Sequence, residues 1–145
     1  MTPRPWLPLL SLLAQIGLVG VVAWLVDASD LEQAPASWGF VFGFVVVTVV
    51  YAVWPVLAAL VSALVAAAAR TEVVVRRAAA VGAIVAALFG LVGIVAGTVL
   101  AAQARYESEV VFGLGMAAAS IVPVAPLVRT LAHRGAGRGL TAARG

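Results

Sequence analysis

The chain has 145 residues, enough for one domain, yet 64% of it is hydrophobic and only 10% is charged. Soluble domains carry roughly 45–50% and about 25%, so an ordinary soluble fold covered in polar surface is excluded. There is no cysteine, which excludes disulfides, thiolate metal sites and thiol catalysis, and the net charge of +3 rests on arginines without lysine.

The first apolar run, Trp6 to Val26, contains no charge. A bilayer core of roughly 30 Å is crossed by about 20 helical residues, so this run predicts a first membrane span. Trp6 and Trp24 stand 18 residues apart, which is about 27 Å of helix and fits an aromatic belt at each interface. A signal peptide is the rival reading, with Arg4 as its basic start and Ala34-Pro35-Ala36 as its cleavage site. The apolar run exceeds the roughly 7–15 residues typical of such a core, which favours a span.

A second uncharged run covers 38–69 and a third 78–103. The second would measure about 48 Å as one helix, well beyond a bilayer core. Its Pro55 removes the bond to the Tyr51 carbonyl and predicts a kink. The segment 70–77, RTEVVVRR, contains no Gly, Pro or Asn to mark its turn, and the i,i+4 pair Glu72 and Arg76 predicts that part of it is helical. A fourth span is predicted over 110–132, with Pro123 and Pro126 inside it. The remainder, 133–145, is Gly/Arg-rich without apolar periodicity and reads as a flexible basic tail. The expected fold is an all-α four-helix membrane bundle occupying 1–132 as a single domain, with a long kinked second helix.

Arginine placement predicts the topology. Arg4, Arg70, Arg76, Arg77, Arg129, Arg134, Arg138 and Arg144 fall on alternate segments, and only Arg105 falls on the others. The positive-inside rule therefore puts both termini in the cytoplasm, in a multi-pass protein of the plasma membrane. Arg70, Arg76, Arg77, Arg129 and Arg134 are the expected contacts to anionic inner-leaflet headgroups, and no nucleic-acid partner is expected. Asp27, Asp30, Glu32, Glu107 and Glu109 then face outward.

No Asp, Glu, Arg or His lies at mid-membrane depth in any of the four predicted spans. Such charges mark proton relays and ion paths, so ion-coupled chemistry is not expected. In helix number and size the chain resembles small multidrug transporters and dual-topology fluoride channels. The first of these depend on an embedded carboxylate in the first helix, where this chain has Gln15. The arginine bias opposes dual insertion, so both resemblances end at helix count. His133, without carboxylate or thiol companions, makes no metal site. No nucleophile–base pair can be assembled, so neither a catalytic role nor a cofactor is expected.

Three polar residues share a predicted depth: Gln15 near the middle of span one, Thr48 ten residues in from Trp38, and Ser120 ten in from Val110. They are candidates for interhelical hydrogen bonds or, in a functional reading, for a solute contact. Small residues mark packing faces: Gly39 and Gly43 on span two, Gly113 and Ala117 on span four. On span three Gly82, Ala86 and Gly90 form one ridge, and Gly93, Gly97 and Ala101 another. Two ridges predict a central position for span three. Pro55 and Pro126 lie at matching depth and could splay the inner half into a cavity. The expected role is an accessory or structural subunit acting through helix association, alone as a homo-oligomer or within a larger membrane complex. The alternative is an oligomeric transporter or channel for a neutral or lipid-like solute.

Overall fold

The computed structural model describes residues 4–29, 37–129 and 132, with the backbone alone for 37–52. Among these residues four helices follow one another: α1 (Leu7–Ala28), α2 (Ser37–Ala68), α3 (Glu72–Gln103) and α4 (Glu107–Ala119). A helical turn over 125–129 continues beyond α4, and no strand occurs among the described residues. Pro5 and Pro8 flank the first turn of α1, where the missing N–H groups have no helical partner to lose. The run 45–50, rich in Val, is helical within α2 despite its strand propensity. The helix assignment of α2 passes through Pro55 unbroken for 32 residues.

Two elements differ from the sequence expectation. Helix α3 begins at Glu72, not near residue 78, and the turn from α2 occupies only Ala69 to Thr71. The charged start is itself a good helical turn. Glu72 sits in the positive first turn of the helix dipole and takes Arg76 at 3.1 Å, an i,i+4 pair. The fourth helix stops at Ala119 and does not continue to 132. Pro123 and Pro126 supply no N–H to the carbonyls of Ala119 and Val122. The chain tightens instead: Ile121 N donates to Ala118 O at 3.2 Å and Val122 N to Ala119 O at 3.3 Å. The expected kink at Pro126 is therefore a break over Ser120–Val124, with Pro123 buried inside it.

Register follows from the close contacts. Gly82 lies against Pro8 and Ser62, Gly93 against Gln15 and Ser120, Gly97 against Gly113, and Gly115 against Val22. Helices α1 and α3 thus run one way and α2 and α4 the other. Helix α3 packs on all three others and α1 likewise, while α2 and α4 do not meet among the described residues. The cross-section is a rhombus whose short diagonal joins α1 and α3. Arg4, Arg70, Arg76, Arg77 and Arg129 consequently gather at one end, and Asp27, Arg105, Glu107 and Glu109 at the other.

Burial is inverted relative to a soluble protein. Among the described residues the interior is built mainly from Ala59, Ala63, Ala66, Ala86, Ala87 and Ala119, the packing glycines, Gln15 and Ser120, with Leu12 and Val19 as larger apolar side chains. Leu10, Trp24, Trp54, Leu88 and Val95 are instead exposed. Among the described residues two helices, α1 and α3, are long and apolar enough to cross a membrane, with mean hydropathies of 2.3 and 2.5 over their most apolar stretches.

Candidate functional site

The glycines of α3 determine how closely its neighbours approach. A Cβ built on Gly97 would lie 2.5 Å from the Gly113 carbonyl oxygen and 2.7 Å from the Ala117 nitrogen. One on Gly113 would lie 2.7 Å from the Gly97 carbonyl. These two glycines let backbone touch backbone, the contact that drives association where apolar surface alone gives no gain. A Cβ on Gly90 would lie 2.7 Å from the Ser120 carbonyl oxygen and 2.8 Å from the Pro123 ring, so the break after α4 is seated on this glycine. Gly82 is looser, since a Cβ there would lie 3.4 Å from Pro8. Gly115, which the small-residue spacing did not single out, faces Val22 of α1, whose methyl would lie 2.5 Å from a Cβ built there. A signal was available in its sequence, since Gly113 and Gly115 place small residues on two faces of one turn.

Above Gly93 lies a polar node. Gln15 Nε2 donates to Ser120 Oγ at 2.9 Å, and the Ser120 hydroxyl donates to the Met116 carbonyl at 2.8 Å. The serine has one proton, already given to Met116, so it can only accept from the glutamine. That fixes the amide orientation and turns Gln15 Oε1 away, and among the described residues this oxygen has no donor. Gln15 is 3% exposed and Ser120 0%. A Cβ on Gly93 would collide with Ser120 Oγ, so the node exists because position 93 is glycine. Other hydroxyls along the helices close onto their own backbone, Ser62 on Ala58 and Thr98 on Ile94, each at 2.8 Å. The structure thus joins two of the three expected polar residues. Thr48, Gly39 and Gly43 have side-chain positions outside the described residues.

A crevice of about 160 Å³ lies at the arginine-rich end. One wall is Leu7 and Ser11 of α1, the floor is Ala79, Ala83 and Ala86 of α3, and Pro126 closes the far side. Alanines at helical spacing leave room that larger residues would fill, and the break after Ala119 widens it. Ser11 Oγ donates to the Pro8 carbonyl at 2.8 Å, so its hydroxyl is already engaged. Arg4, exposed, stands at the mouth. Pro55 of α2 does not line this space, so the two prolines do not jointly open one cavity there.

Arg70, Arg76, Arg77 and Arg129 are exposed at the same end. Arg134 and His133 lie outside the described residues. At the opposite end Glu109 Oε2 accepts the Arg105 backbone N–H at 2.9 Å, tying the first turn of α4 to the segment before it. No group of three His, Cys, Asp or Glu residues is placed to hold a metal among the described residues. Comparison with protein-family models, with curated proteins and with solved structures gave no match.

Proposed function

We propose that this chain is an integral membrane protein of four spans, with both termini on the cytoplasmic side, that works as an accessory or structural subunit by lateral helix association. The observation that carries the membrane part is the inverted burial. In the apolar windows of α1 and α3 only 11% and 33% of residues are buried, whereas a core helix of a soluble protein would be mostly buried. Lipid or a partner helix is the medium that such a surface requires. The arginine-rich end then meets the anionic inner leaflet.

Association is favoured over solute passage by the α1–α3–α4 seam. Backbone contacts at Gly97–Gly113 and the Gln15–Ser120 bond over Gly93 leave no opening between those helices at two successive levels. A single chain offers no path there, so transport would need an oligomer. Trp54, 73% exposed near the middle of α2, departs from the interfacial placement usual for lipid-facing tryptophan. The free face of α2 is therefore the proposed contact with a neighbouring helix.

Photo-crosslinking in cells from positions 54 and 57, with position 10 on α1 as comparison, tests this reading. A discrete protein adduct from α2 and none from α1 supports a subunit. Lipid adducts alone from α2, together with solute flux from the reconstituted protein, would favour transport.

A further inference from the structure

We propose that the crevice between α1, α3 and the segment after α4 seats one acyl chain of an anionic phospholipid, whose phosphate rests on Arg4. The proposal builds on the membrane reading above, and three features point to this occupant. The walls are almost entirely apolar, and the one hydroxyl among them, Ser11, is already bonded to Pro8. A polar solute would therefore lose its hydration there without recovering hydrogen bonds. The volume of about 160 Å³ corresponds to roughly five groups of water size, a stretch of chain and not a whole lipid.

Charge supplies the headgroup preference. Arg4 lies at the mouth, and Arg70, Arg77 and Arg129 are exposed at the same end. The only salt bridge among the described residues, Arg76 with Glu72, engages the one carboxylate near them. The floor Ala79–Ala83–Ala86 runs inward for seven residues, about 10 Å of helix. A chain entering beside Arg4 follows it toward the buried Pro123, which lines the crevice at the break after α4.

The full chain, purified from membranes in mild detergent, is tested by native mass spectrometry with added phosphatidylglycerol or phosphatidylcholine. The wild type should hold one phosphatidylglycerol in preference to phosphatidylcholine. Arg4→Gln should weaken phosphatidylglycerol about fivefold, the worth of one arginine at an anionic surface, and erase the preference. Ala83→Phe fills the slot and should abolish retention of both lipids, with Ala79→Leu as the milder variant should the first fail to fold. Undiminished retention in a folded slot-filling variant overturns the proposal, because general attraction to the arginines would then explain binding. Equal retention of the two lipids by the wild type overturns it as well. Release of the protein from membranes by alkaline carbonate would contradict the membrane reading itself, and the proposal with it.

Discussion

Gly97→Ala is the most direct perturbation of the packing. Its new methyl would lie 2.5 Å from the Gly113 carbonyl oxygen, 2.7 Å from the Ala117 nitrogen and 3.1 Å from the Ala117 Cβ. The two nearest atoms are backbone and cannot swing aside, so α3 and α4 must separate. Reaching an ordinary contact of about 3.5 Å takes a shift of roughly 0.8–1 Å, and a gap of that size forfeits about a quarter to a half of each dispersion well along the seam. Overpacking of this kind costs about 1–3 kcal/mol. Gly17→Ala and Gly20→Ala are the controls, because nothing lies within 4 Å of a Cβ at either position. They should be neutral or gain up to about 0.5–1 kcal/mol from lower backbone entropy. Reversible unfolding in mixed micelles, followed by circular dichroism, measures all three. If Gly97→Ala unfolds at the same detergent fraction as Gly17→Ala, the backbone seam is not what holds these helices.

Other substitutions separate the remaining contributions. On the first ridge Gly82→Ala, at 3.4 Å or more from its neighbours, should change stability by less than about 0.5 kcal/mol, whereas Gly90→Ala, at 2.7–2.8 Å from three atoms, should cost about 1–3 kcal/mol in the same unfolding assay. Ser120→Ala leaves the Gln15 amide without its acceptor and should cost about 1–3 kcal/mol. Gln15→Leu loses a bond worth on the order of 0.6 kcal/mol but also removes the unpartnered Oε1. It should therefore be the milder change, and the double variant should recover part of the Ser120→Ala loss in a double-mutant cycle. Glu72→Gln breaks an ion pair whose side chains are 69% and 82% exposed. Thermal melts should move by no more than the equivalent of about 0.5 kcal/mol.

Much of the helical architecture was legible because composition leaves so few alternatives. Uncharged runs longer than 20 residues state where helices lie, and small residues at i,i+4 state which faces approach. Gly93 and Gly97 on one ridge of α3 meet Ser120 and Gly113 for that reason. Helix ends were less legible, because charged residues do not end a helix as proline does. By hydropathy Glu72, Arg76 and Arg77 lie outside span three, and only the i,i+4 pairing of Glu72 with Arg76 signalled the helical turns that they form at the start of α3. Conversely, the apolar Ile121 and Val122 look like span four yet lie in a turn, because Pro123 and Pro126 act on backbone donors and not on hydropathy. The Gln15–Ser120 bond was anticipated only as a shared depth. Its existence depends on Gly93, which sits at the same level on a third helix. The matched prolines suggested a cavity shared by Pro55 and Pro126, but the crevice found is lined by the alanines of α3 and the segment after Ala119, without Pro55.

The four-span reading with both ends inside is tested most directly by cysteine accessibility, since the native chain contains no cysteine. Ser29→Cys, Thr71→Cys and Glu107→Cys each place one thiol at an exposed position, just after α1, between α2 and α3, and at the first residue of α4. A membrane-impermeant maleimide applied to intact cells should label positions 29 and 107 and leave 71 unlabelled until the membrane is permeabilised. Labelling of position 71 together with 29 in intact cells would contradict the account.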